Sequence, residues 1–122
     1  MRVMIVEDHP VNLKLATDIL EIDGYEVWQC ADAEIAQEQL KKELPDLILM
    51  DVALPGMDGL EFTRLLKADD KTNHINIIAL TAFAMATDKD KAMEAGCNGY
   101  ITKPINTRTF TKQILEIINK AL

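Results

Sequence analysis

Basic residues are few and scattered in this sequence. Thirteen Lys and Arg stand against 20 Asp and Glu, for a formal net charge of −7. The longest basic stretch is the pair Lys41-Lys42, followed at once by Glu43. A protein that grips a phosphate backbone needs clustered Lys and Arg, so nucleic acid is excluded as a direct partner. Long apolar runs are missing as well. None approaches the roughly 18 residues of a membrane span, and Met1 leads straight into Arg2-Val3-Met4-Ile5-Val6 with no signal-peptide pattern. No membrane insertion and a cytoplasmic location are therefore expected. The two cysteines, Cys30 and Cys97, stand in no C-x-x-C or metal-ligand spacing and read as reduced, buried, small hydrophobes. His9 and His74 are too far apart to build a transition-metal site, and His9 reads as a loop residue.

What is present is an ordinary globular composition, 48% hydrophobic and 27% charged over 122 residues. That length suits one domain, residues 1–122, burying roughly two-thirds of its unfolded surface. Short apolar runs at Val3–Val6, Tyr25–Cys30, Leu47–Met50, Ile75–Leu80 and Gly99–Ile101 read as five strands. Between them, spacings of three and four mark helical faces: Val11, Leu15, Ile19 and Ile22; Ala33, Ala36, Leu40 and Leu44; Leu60, Leu65 and Leu66; Phe110, Ile114, Ile117 and Ile118. Gly24 fits the left-handed residue after the first helix, and Pro45 closes the second. Thr87 with Asp90 resembles an acidic capping box for a fourth helix, and Asn106 or Thr107 can cap the fifth. Each strand-to-strand interval holds a helix and is long enough for a parallel crossover. Runs apolar at every position, such as Leu47-Ile48-Leu49-Met50, fit strands covered on both faces. The fold class is thus α/β, a doubly wound five-stranded parallel sheet.

In such a sheet the chemistry lies outside the carboxyl ends of the strands. Glu7 and Asp8 follow the first strand, Asp51 the third and Thr81 the fourth, while Lys103 stands two residues past the fifth. Three carboxylates gathered at one rim repel one another, which raises their pKa values or demands a cation. Oxygen-only ligands with room for water suit Mg²⁺. A cation beside one Asp, with a Lys opposite, is the equipment for placing a phosphoryl group on a carboxylate, and the Thr81 hydroxyl can bond a phosphoryl oxygen. A haloacid-dehalogenase-type phosphatase needs a second Asp two residues after its nucleophile, where this chain has Ala53. A flavodoxin-like electron carrier needs a phosphate-cradling loop after the first strand, and Glu7-Asp8-His9-Pro10 would repel phosphate.

These residues carry a resemblance to the CheY-like receiver domains of two-component response regulators. The matching motifs are Val6-Glu7-Asp8; Leu47-Ile48-Leu49-Met50-Asp51 with Leu54-Pro55 and Met57-Asp58-Gly59; Ala79-Leu80-Thr81-Ala82; Ala95-Gly96; and Tyr100-Ile101-Thr102-Lys103-Pro104-Ile105. Within that family, Thr81-Ala82-Phe83-Ala84-Met85 resembles the single-domain division regulators of the DivK type. The resemblance implies a flavodoxin-like (βα)5 fold with strand order 2-1-3-4-5. It makes Asp51 the phospho-acceptor, with Mg²⁺ held by Asp8, Asp51 and the backbone carbonyl of Ala53, and by Glu7 mainly through water. Lys103 would pair with the phosphoryl group or Asp51, and Thr81 and Tyr100 would form the switch. The Lys103-Pro104 bond is expected to be cis.

The expected function is a stand-alone response regulator that takes its phosphoryl group from a histidine kinase or histidine phosphotransfer domain, hydrolyses it slowly, and signals to a downstream protein. Phe83, Met85 and Tyr100 are the expected partner surface. The alternative is a phosphate shuttle, or a receiver fragment of a hybrid kinase, with no output of its own. Ala53 and Phe83 flank the path of the hydrolytic water and leave the dephosphorylation rate open.

Overall fold

A computed structural model describes residues 1–82 and 86–121, with the side chains of Ala86 and Ala121 outside the description. Strands and helices alternate through the chain. They are β1 Arg2–Val6, α1 Pro10–Ile22, β2 Glu26–Cys30, α2 Ala33–Lys42, β3 Leu47–Asp51, α3 Gly59–Ala68, β4 Asn76–Thr81, α4 Ala86–Ala95, β5 Gly99–Thr102 and α5 Phe110–Ala121. The five strands form one sheet in the order β2-β1-β3-β4-β5, and every pairing is parallel. All five residues of β3 are buried, as the central strand of a sheet covered on both sides must be.

Two cores fill the space above and below the sheet. Residues of α2, α3 and α4 pack with Met4, Val6, Ile48, Met50, Ile77 and Ala79 on one face. On the other, α1 and α5 pack with Val3, Ile5, Leu47, Leu49, Ile78 and Leu80. Each core centres on a fully buried Phe, Phe62 in the first and Phe110 in the second, each contributing about 1.5–3 kcal/mol of burial.

The helix ends follow local chemistry. Pro10 occupies the first turn of α1 behind His9, where its fixed φ suits the helix and its missing N–H is not needed. Gly24 ends that helix at φ 89°: its N–H donates to the Glu21 carbonyl and Tyr25 N–H to the Leu20 carbonyl, both at 3.0 Å, a Schellman pair that requires the left-handed conformation. Asp32 and Asp58 cap α2 and α3 by accepting from Ile35 N–H and Glu61 N–H. The Asn106 side chain accepts from Arg108 N–H in the turn that leads into α5. The Lys103-Pro104 bond is cis, and Cys30 and Cys97 are buried and unpaired. Burial pushes the Cys30 thiol up to about 11, so it stays protonated.

Several expectations shift. The buried stripe of α1 is Ala16, Thr17 and Leu20, whereas Val11 and Ile22 are 68% and 84% exposed. Ile19 of the expected stripe does pack against the core, together with Leu13; the positions that face solvent are the two ends, Val11 and Ile22. Leu44 lies beyond α2, which stops at Lys42, because the residue before a proline is pushed to extended backbone and the break spreads upstream from Pro45. Leu65 of α3 is half exposed, and the helix buries Phe62, Thr63 and Leu66 instead. Helix α4 runs Ala86–Ala95, so Thr87 lies inside its first turn and is not its cap.

Candidate functional site at the carboxyl edge of the sheet

The strand order reverses where β1 lies between β2 and β3, and the residues that leave these strands meet at this point. The Glu7 N–H donates to the Cys30 carbonyl at 3.0 Å. That bond continues the β1–β2 ladder by one residue and directs Glu7 inward to 1% exposure. Asp8, next in the chain, turns out to solvent. Asp51 and Thr81 are the last residues of β3 and β4, and both are buried. Lys103 is tied in by its backbone N–H, which donates to the Thr81 carbonyl at 2.7 Å.

The Lys103 ammonium lies 2.7 Å from Glu7 Oε1 and 3.2 Å from Asp51 Oδ1. Its shorter bond is to Glu7 rather than to the expected Asp51. Both carboxylates are buried and need a counter-charge, which the one ammonium supplies. Asp51 also accepts from Ala53 N–H at 3.1 Å, and Glu7 Oε2 from His9 N–H at 3.5 Å.

The titration of the cluster follows from this packing. Burial raises the Asp51 carboxyl above its ordinary value; hydrogen bonding to Glu7 and the Glu7 charge push the same way, against Ala53 N–H and Lys103. Burial also raises Glu7, but bonding to Asp51 and Lys103 outweighs it, so Glu7 titrates below the ordinary value. Of the two acids, Asp51 is therefore the harder to ionise and Glu7 the easier. Burial would depress the Lys103 ammonium, yet the two carboxylates hold it above its usual range.

The carboxylate oxygens of Glu7, Asp8 and Asp51 lie within 4.8 Å of one another. This all-oxygen set, with one member exposed to water, fits a small hard cation that keeps part of its hydration. The loop after β3 is folded tightly against the site. Gly59 N–H donates to the Val52 carbonyl at 3.0 Å, and a Cβ on Gly59 would fall 2.0 Å from the Asp51 carbonyl oxygen. Only glycine allows α3 to start this close to Asp51.

The structure therefore brings together Glu7, Asp8, Asp51, Thr81 and Lys103, with Ala53 touching Asp51 through its N–H. Tyr100 stands apart on β5, in register with Ala79 of β4. Phe83 and Met85 lie outside the described residues. Two participants carry no signal in the sequence. Gly59 sits inside a family motif, but its role rests on a distance to Asp51 that only the fold creates. Lys89, on α4, has its Nζ 5.0 Å from the centroid of the Tyr100 ring, and no spacing rule links a lysine to a tyrosine one strand away.

An α/β sheet with an acidic switch-point cluster and a lysine across from it defines a phosphoryl-handling receiver architecture. Residues 3–115 match the response regulator receiver domain, and the chain belongs to that family, whose members act in two-component signalling and typically bind Mg²⁺. It is 44% identical over 119 residues to the polar-differentiation response regulator DivK of Brucella anthropi, covering 98% of this chain and 97% of that protein. Among solved structures, a putative response regulator from Chloroflexus aurantiacus superposes with a TM-score of 0.91 at 31% identity, covering 97% of each chain. The receiver domain of a sensor histidine kinase from Pseudomonas aeruginosa, with a magnesium ion coordinated in its active-site cleft, gives 0.86 at 34% identity and the same coverage. No helix among the described residues is long and apolar enough to cross a membrane.

Proposed function

We propose that the chain is a stand-alone, cytoplasmic response regulator, one receiver domain over residues 1–122, phosphorylated on Asp51. The observation that carries this reading is the position of Asp51. It is the one carboxylate at the end of the central strand, it lies beside two further acids, and it is within reach of Lys103.

In this reading Asp8, Asp51 and the Ala53 carbonyl would hold Mg²⁺, with Glu7 acting mainly through water, and the bound ion would supply positive charge against the oxygens of the transferring phosphoryl group. Asp51, deprotonated, attacks the phosphorus of a phosphohistidine on a kinase or phosphotransfer domain. The N–P bond breaks, its electron pair returns to the imidazole, and an acyl phosphate forms. Lys103 exchanges part of its bond to Glu7 for a phosphoryl oxygen, and the Thr81 hydroxyl donates to another. Thr81 and Tyr100 then shift together, and a surface that includes Tyr100, Phe83 and Met85 changes its affinity for a downstream protein. Such a shift can be no larger than the differential stabilisation of the two states. Slow hydrolysis of the acyl phosphate resets the site.

Incubation with acetyl phosphate, followed by intact-mass measurement, tests the reading. One added phosphoryl group is expected with Mg²⁺, none in excess chelator and none on Asp51→Asn. Equal labelling of that variant would refute the assignment of the acceptor.

A further inference from the structure

Lys89 is flanked by Asp88 and Asp90, yet among the described residues it makes no ion pair, and its partner is the face of Tyr100 at 5.0 Å. Both residues are half-buried, a setting in which a cation over an aromatic face gains more than one in open water. The register of the sheet ties this ring to the site. Tyr100 pairs with Ala79, and Thr102 with Thr81, so Tyr100, Ala79 and Thr81 project to the same face of the sheet. Ala79, the β4 residue in register with Tyr100, carries only a methyl group.

We infer that Lys89 is a positioning residue for the switch. Its ammonium holds the Tyr100 ring in the unphosphorylated arrangement and so sets how readily the ring moves when Thr81 does. A change of χ1 rotamer by about 120° carries the ring centroid roughly 4.5 Å, enough to take the ring face from under the ammonium as it stands. The contact therefore biases the equilibrium against switching by about two- to fivefold, the ratio that corresponds to an exposed or half-exposed cation–π pair. Neutralising or removing Lys89 should relax that bias with no phosphoryl group present.

This inference rests on the proposed switch role of Tyr100, and its test separates the two. The chain has two tyrosines, so protein labelled with fluorotyrosine gives two ¹⁹F signals, and Tyr100→Phe identifies which belongs to Tyr100. Spectra are compared for the parent, Lys89→Met and Lys89→Arg, each before and during incubation with acetyl phosphate and Mg²⁺. In unphosphorylated Lys89→Met, the Tyr100 signal should move toward the phosphorylated position, with a population ratio changed about two- to fivefold. Lys89→Arg, which keeps a cation over the ring, should match the parent. If the parent responds to phosphorylation but Lys89→Met coincides with it at every stage, the role of Lys89 is overturned and the switch stands. A Tyr100 signal in the parent that ignores phosphorylation overturns the switch, and the Lys89 inference with it.

Discussion

The two ends of the same sheet carry charge in opposite ways. At the amino edge, the Arg2 guanidinium reaches Glu43 and, at 3.4 Å, Glu26, all with side chains about half exposed, and its backbone N–H donates to Asp46. At the carboxyl edge, Glu7 and Asp51 are buried, and Lys103 keeps only 19% of its side-chain surface. Both ends place one cation among carboxylates. Water screens the first set; in the second, burial and close partners displace the pKa of Glu7, Asp51 and Lys103. Burial, more than proximity, turns a charge cluster into a site.

Changes at the two edges should therefore differ in size. The largest effect is expected from Gly59→Ala, whose new methyl must push against the Asp51 backbone. A loss of about 3 kcal/mol in denaturant unfolding, with weakened phosphorylation, is expected. Lys103→Met strands a buried Glu7 carboxylate and should lower stability by about 2 kcal/mol at neutral pH. That loss should shrink on acidification, as Glu7 takes up a proton and no longer needs the cation.

Asp51→Asn should act in the opposite sense. Folding raises the Asp51 pKa, so the folded state holds a proton that the unfolded state has released, and stability falls as pH rises through that window. An asparagine escapes this penalty. The variant should match the parent at pH values below the ordinary carboxylate range and exceed it at neutral pH without metal, by about 1 kcal/mol or a few degrees in Tm. Arg2→Ala should be the mildest, within about 0.5 kcal/mol, and less visible still in high salt. A large loss there would erase the contrast between the two edges.

The polar ends of the strands were legible in the sequence because a parallel sheet has one rule for where function sits. Glu7, Asp8, Asp51, Thr81 and Lys103 each stand at or just past the end of an apolar run, where that rule places chemistry. The apolar surface was less readable. In α1 the repeat Val11, Leu15, Ile19 and Ile22 obeys helical spacing throughout, yet Ile19 packs against the core while Val11 and Ile22 face solvent, and only the sheet decides which turns of the helix are covered. The shorter bond of Lys103 to Glu7 rather than Asp51 was equally hidden, since it depends on where the fold delivers the ammonium between two buried carboxylates. The Lys89–Tyr100 contact depends on where α4 lies against β5, which periodicity does not specify.

The central claim is that Glu7, Asp8 and Asp51 form one site whose crowded charge is relieved by a divalent cation. Thermal unfolding midpoints measured against Mg²⁺ at neutral pH test it most directly. The parent should gain about 1.4 kcal/mol when Mg²⁺ reaches ten times its dissociation constant, and Asp8→Asn and Asp51→Asn should each lose most of that gain while starting from a higher metal-free midpoint. A parent midpoint unmoved by millimolar Mg²⁺, or variants that respond as fully as the parent, would contradict it.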